Sequence, residues 1–374
     1  MTSSPTPASP WTGRHDGDGP AHARWHQAVR DVAAPSADAP APPALGVDGT
    51  ESRAPGAGRT ESRAPGADGA ESRVPGADDP ADPASPHVAL LGFRSEEGVR
   101  RNRGRVGAAD GPDALRRALA PLALHGVLAS GEVQLHDLGD AETAGEDLEA
   151  GQAAAAALTA QGLDRAGSRL TVVLGGGHET AWSSYLGLMG SGLGPRAGQR
   201  WGVLNLDAHF DLRSEPRPTS GTPFAQMAEA ERAAGRELRY AVLGIAEPSN
   251  TGALFARARE LGVTWWTDEQ CLAAGAEGIT RFVEQFTAEL DVLYLTIDLD
   301  VLPAAAAPGV SAPAALGVPL PLIAAAVRAA AGSGTLALLD VVELNPSLDV
   351  DSRTARTAAR LIDDAVRTVT GASA

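Results

Sequence analysis

Residues 201–213 read WGVLNLDAHFDLR. The first six positions carry a single polar side chain, Asn205, and then Asp207, His209 and Asp211 follow at every second position. A short apolar run without polar alternation reads as a strand buried on both faces. In extended backbone, residues two apart share a side. Three groups able to bind a cation therefore leave the strand end together. The stretch predicts both a parallel sheet covered by helices and the place of its site, because ligands in such sheets gather beyond the carboxyl ends of the strands.

The same pattern recurs along the chain. Apolar runs lie at 87–93 (HVALLGF), 169–176 (RLTVVLGG), 238–245 (LRYAVLGI), 262–266 (GVTWW), 291–300 (DVLYLTIDLD) and 335–344 (TLALLDVVEL). Alanine-rich helical stretches separate them, among them 149–160, 223–234 and 320–331. This alternation predicts an α/β domain over residues 87–374, a three-layer α/β/α arrangement around a mainly parallel central sheet. Residues 33–86 differ: they are rich in Ala, Pro and Gly and hold three ten-residue repeats, ESRAPGAGRT at 51, ESRAPGADGA at 61 and ESRVPGADDP at 71. Each copy has almost nothing to bury, so the segment is expected to be a disordered insertion. An irregular N-terminal segment, 1–32, precedes it. Its two tryptophans, Trp11 and Trp25, predict packing on the domain.

Composition narrows the chemistry. The formal net charge of −16 over 374 residues disfavours broad attraction to nucleic acid or anionic membrane. All 31 cations are arginine, which removes Schiff-base lysine chemistry and the lysine of a phosphate-binding P-loop. Cys271 is the single cysteine; it excludes an intramolecular disulfide and a cysteine-rich zinc site, and reads as a small helix residue. The first residues lack a basic start followed by an apolar run, and no apolar stretch nears the roughly 18–20 residues of a membrane span. A cytoplasmic protein is expected.

Two further strand ends add to the first. The run at 291–300 finishes with Asp298 and Asp300, and the run at 169–176 opens into GGGHE, which brings His178. Four ionised carboxylates in one cleft repel one another without a counter-charge. Two divalent cations would balance them, and oxygen-rich ligation with some imidazole suits Mn²⁺, Mg²⁺, Fe²⁺ or Co²⁺. A lone D-x-D often only caps a turn, and a lone Gly-Gly-Gly-His is usually a loop. All three motifs at strand ends point to a dinuclear site. His15, His22, His26, His87, His125 and His136 follow no ligand spacing and read as surface or satisfied packing residues.

With GGGHE, DAHFD and DLD in this order, the chain from about residue 87 resembles the arginase/agmatinase (ureohydrolase) family. The stretches 96–112 (EEGVRRNRGRVGAADGP), 220–224 (SGTPF), 296–313 (TIDLDVLPAAAAPGVSAP) and 340–346 (DVVELNP) are similar to a subgroup that hydrolyses N-formimidoyl-L-glutamate to L-glutamate and formamide. The resemblance implies an arginase-like fold and two Mn²⁺ ions. One would be held by His178, Asp207, Asp211 and Asp298, the other by His209, Asp207, Asp298 and Asp300, with Asp207 and Asp298 bridging. Glu343 corresponds to the glutamate that receives the cationic end of the substrate, and Asp211 is the candidate to pass a proton to the departing nitrogen. Arg103, Arg105 and Arg213 are candidates for the substrate carboxylates, with Ser311 a further one. The family's usual histidine before G-x-P is Ser220 here, which disfavours arginase and agmatinase activity. Two alternatives stay open: a ureohydrolase acting on a guanidino acid, and an inactive metal-binding scaffold. The resemblance also implies a homo-oligomer, a trimer or hexamer, with a small-molecule amidine as ligand.

Overall fold

The apolar runs become strands. In a computed structural model, which describes residues 9–32, 85–195 and 198–372, the strands, two more than the apolar runs, are β1 (Val29–Asp31), β2 (His87–Arg94), β3 (Gln134–Glu142), β4 (Ser168–Leu174), β5 (Trp201–Leu206), β6 (Tyr240–Ile245), β7 (Thr264–Thr267), β8 (Val292–Asp298) and β9 (Leu336–Val342). The repeat segment expected to be disordered lies outside the described residues. The strands form one sheet in the order β1-β3-β2-β4-β9-β8-β5-β6-β7, and every pair is parallel. After β4 the chain moves across to β5, and β8 and β9 later fill the gap between them. The four central strands β4, β9, β8 and β5 are those followed by the predicted ligands and Glu343.

Alternation assigns each strand's side chains to two cores. Val88 and Leu90 of β2 join Val172, Leu204, Leu295 and Val341 on one face, beneath helices Gly111–Leu119, Asp268–Thr287, Leu320–Gly332 and Arg353–Thr370. Ala89, Leu91 and Phe93 join Val173, Val203 and Tyr294 on the other, beneath Leu148–Asp164, Thr180–Gly190, Pro223–Ala233 and Gly252–Glu260. Both faces of the sheet are covered, hence the unbroken apolar runs. Cys271 is buried in its helix, and burial pushes its thiol up to about 12. No helix among the described residues is long and apolar enough to cross a membrane.

Two strands depart from the sequence reading, which has neither β1 nor β3. The residues before the insertion are not wholly irregular: β1 pairs with the outer edge of β3, Val29 opposite Leu135. Trp25 is fully buried and donates its Nε1–H to Asp363 at 3.0 Å; Trp11 donates to Asp137 at 2.7 Å, and the two rings stack with centroids 6.5 Å apart. β3 holds a second departure. His136 and His87 are packing residues, as expected, but only half satisfied: both are fully buried and stacked at 4.7 Å, His87 Nδ1 sits 2.9 Å from Ser85 O and His136 Nε2 2.9 Å from Gln134 Oε1, while His136 Nδ1 and His87 Nε2 lack a hydrogen-bond partner among the described residues. Parallel register sets β3 beside β2, His136 opposite Ala89, and that brings the rings together.

Candidate metal centre

Register builds the site. Pairing of Leu206 with Ile297 carries Asp207 and Asp298 off β5 and β8 side by side. From β4, Gly175 still donates to Val341 O of β9 at 2.8 Å, and Gly176 O accepts from Glu343 N at 2.8 Å. The turn then passes so close to the chain after β2 that a Cβ on Gly176 would lie 1.9 Å from Ser95 O. Only glycine fits there, and His178 is thereby delivered over the sheet.

His178 Nδ1 lies 3.2 Å from Asp207 Oδ2, 3.0 Å from Asp211 Oδ2 and 3.1 Å from Asp298 Oδ2. His209 Nδ1 lies 3.0 Å from Asp300 Oδ2 and 3.6 Å from Asp207 Oδ1. Two donor sets result, His178/Asp207/Asp211/Asp298 and Asp207/His209/Asp300. Asp207 serves both, one oxygen to each. Asp298 belongs to the first set only, and its Oδ1 accepts the Asp300 amide at 2.8 Å. All six predicted ligands meet.

The donor chemistry fits a pair of cations. His178 Nδ1 is buried and makes no hydrogen bond despite its three neighbouring oxygens, while Nε2 sits 3.1 Å from Thr296 Oγ1. A proton on Nε2 would leave the Nδ1 lone pair facing the carboxylates, as in metal-binding histidines fixed by a partner on the other ring nitrogen. Without a metal, protons and imidazolium charge have to balance the acids. Burial, then Asp300 and Asp207, raises Asp298 well above the usual carboxylate range; burial also raises Asp211 and Asp300. Burial opposes both histidines' charge, yet the surrounding carboxylates raise His178 and His209 well above an ordinary imidazole. Asp207 goes the other way: burial would raise it, and His178 and His209 hold it low.

Glu343 is 6% exposed, accepts the His178 amide through Oε1 at 2.8 Å, and is pushed up to about 8 by burial and by Glu179. Glu343 (φ 67°) and Asp211 (φ 46°) both hold left-handed backbone, which is uncommon outside glycine and clusters at functional sites. The arginines part company. Arg105 donates Nε to Ser311 O at 3.0 Å and an Nη to Val310 O at 2.7 Å, and Ser311 Oγ accepts its amide at 2.9 Å; this pair braces two loops. Arg103 and Arg213 are exposed and, among the described residues, carry no ion pair or side-chain hydrogen bond. Arg213 Cδ lies 3.0 Å from where a Cβ on Gly221 would stand, beside buried Ser220, whose Oγ accepts from Asn102 at 3.2 Å.

A supporting layer is absent from the sequence reading. Asn205 Nδ2 donates to Asp207 Oδ2 at 2.8 Å, Asn250 spans Ala208 O (2.9 Å) and Phe210 N (3.1 Å), and Tyr240 donates to Phe210 O at 2.9 Å. Asp340 accepts from Ser184 at 2.7 Å and from Tyr294. The available signal was a polar side chain inside an apolar run, Asn205 and Asp340, since buried polar groups need partners.

Comparison with known proteins gives concordant matches. Residues 86–367 match the family model described as the Arginase family. A formimidoylglutamase of Nocardia farcinica is 50% identical over 357 residues, covering 95% of this chain and 95% of its own. One of Rhodococcus opacus is 47% identical over 356 residues, 95% and 94% of the two chains. Among solved structures, Bacillus subtilis formimidoylglutamase superposes with TM-score 0.67 at 25% identity (76% of this chain, 87% of that one). Trypanosoma cruzi formiminoglutamase with Mn²⁺ gives 0.66 at 25% (77% and 95%).

Proposed function

The chain belongs to the arginase family, and from that premise we propose that it hydrolyses N-formimidoyl-L-glutamate to L-glutamate and formamide at a dinuclear manganese centre. The observation that carries the reading is the meeting of six ligands with one further buried carboxylate, Glu343, beside them. The choice of substrate is supported by likeness to formimidoylglutamases along nearly the whole chain and by Ser220 in place of the family's histidine.

His178, Asp207, Asp211 and Asp298 would hold one ion, and Asp207, His209 and Asp300 the other. When bound, such a pair acidifies water and polarises the carbon under attack. The chain's own groups do the rest. Glu343 faces the planar amidinium and stabilises its charge. Arg103 and Arg213, without side-chain partners among the described residues, meet the two substrate carboxylates; Arg105 holds the loop of Arg103 in place. The water oxygen adds to the formimidoyl carbon as Asp211 Oδ2 takes one of its protons; the bond from that carbon to the glutamate nitrogen breaks as Asp211 returns the proton to that nitrogen, and the remaining hydroxyl proton passes to the freed amine as the formamide C=O forms. The test is a substrate panel on Mn²⁺-loaded protein, assayed for formamide and for urea. Formamide from N-formimidoyl-L-glutamate is expected. Urea from a guanidino acid, with no formamide, overturns the reading.

A further inference from the structure

We infer that Glu179 is a positioning residue for substrate binding: its buried carboxylate fastens loop 95–107, which carries Arg103, to the turn that carries His178. The inference rests on the proposed contact between Arg103 and a substrate carboxylate.

Loop 95–107 leaves the end of β2. At its root, Glu179 Oε1 accepts the Ser95 hydroxyl at 2.8 Å and the Gly98 amide at 3.0 Å, and Gly177 N donates to Ser95 O at 3.0 Å. The fit is close: a Cβ on Gly98 would lie 2.5 Å from Glu179 Oε2, and one on Gly177 2.2 Å from the same atom. Further along, Asn102 is bonded to Ser220, Arg105 to the carbonyls of Val310 and Ser311, and Asn345 Nδ2 to Arg105 O (3.1 Å) and Val106 O (2.8 Å). The loop is thus tied to the segments that follow β4, β5, β8 and β9. Arg101 adds a pair with the exposed Glu149 carboxylate at 2.9 Å; Glu179 is the buried carboxylate of the set, and it stands next to His178. Arg103 stands between the ties, exposed, with a left-handed backbone (φ 63°).

Glu179 is fully buried and its Oε2 has no hydrogen-bond partner among the described residues. Burying a carboxylate is costly, and packing alone does not require one. Its two accepted bonds set where the loop starts relative to His178, and so where Arg103 stands relative to the centre. With them gone, the loop's ordering cost falls on substrate binding, which raises KM and leaves chemistry at the centre largely intact.

The experiment uses the full-length Mn²⁺-loaded chain and reads kcat, KM and manganese per chain for wild type, E179A, E179Q and S95A. Losing charge-assisted bonds predicts a KM rise of about tenfold or more in E179A, with kcat little changed and manganese retained. E179Q keeps an oxygen for the same two donors and should restore KM. S95A removes one donor, raises KM by a smaller factor and adds nothing in the E179A background; it carries the test should E179A not fold. An unchanged KM in E179A, or E179Q as impaired as E179A, overturns the inference. So does manganese loss that accounts for the KM change. If the wild type does not turn over N-formimidoyl-L-glutamate, the function reading has failed by itself. The tie is then read by amide hydrogen exchange across residues 96–105: faster exchange in E179A than in E179Q supports it, and equal exchange overturns it.

Discussion

The proposed roles of Glu343 and Arg105 separate binding from bracing. Glu343 → Gln keeps an oxygen for the His178 amide and removes a carboxyl that, pushed up to about 8, would take up its charge when a substrate cation faces it. A hydrogen bond to a charged group contributes about 1.5–3 kcal/mol, so kcat/KM should fall by about 10- to 100-fold with manganese stoichiometry unchanged, read by steady-state kinetics beside metal analysis. Arg213 → Ala and Arg105 → Ala should fail differently. The Arg213 guanidinium has no hydrogen bond among the described residues to lose, so R213A should raise KM and leave the melting temperature alone. Arg105 holds the carbonyls of Val310 and Ser311, so R105A lowers the melting temperature as well. Equal melting temperatures for the two variants would contradict that division. The ligands were legible in the sequence because alternation along an extended chain aims them to one side. The division among the arginines was not, because a carbonyl at the far end of a guanidinium leaves no trace in the residues nearby in sequence.

Legibility varied in the same way among the strands. β5 and β8 read plainly because both their faces are buried. β3 did not, since QLHDLGDAE interrupts its apolar positions with groups whose partners lie far off: Asp137 takes both Trp11 and a bidentate Arg116. β1 is three residues long, too short for any period to show. Trp25 anchors that edge, and truncating a buried tryptophan costs about 3–5 kcal/mol; Trp25 → Ala should therefore unfold at clearly lower urea. β3 also predicts a pH response. Burial, then the charges of His87, Arg165 and Arg30, pushes His136 down to about 4. Above its ordinary value of about 6.5 the imidazole is neutral in both folded and unfolded chains and contributes nothing. Between about 6.5 and 4 the unfolded chain binds a proton that the folded one refuses, so stability falls as pH falls, by at most about 3 kcal/mol. The urea midpoint of His136 → Gln should drop less than that of wild type between pH 7 and pH 5; parallel curves would contradict this.

Across the whole chain, the sheet places its most repulsive cluster at the ends of its central strands, and its longest connection runs in sequence between β1 and β2. β1 and β2 flank β3 and run parallel to it, so the chain must return from the end of one to the start of the other. Such a connection needs about a dozen residues, and residues 33–86 exceed that several times over. The three repeats occupy 51–80 and carry almost no apolar side chains, so they have little to contribute to either core. Removing 51–80 leaves 33–50 and 81–86, still long enough to span. Because every ligand candidate lies at the end of one of the four central strands, the deletion should leave kcat/KM and the melting temperature of the manganese-loaded enzyme unchanged. Chelation should act in the opposite sense. The acids from β5 and β8 repel without cations, and ions that bind only the folded state stabilise it by about 2.7 kcal/mol at a hundredfold excess over Kd. The melting temperature should rise with added Mn²⁺ equally in the full-length and shortened chains. A shortened chain that melts lower, or responds less to Mn²⁺, would mean that the repeats bear on the centre.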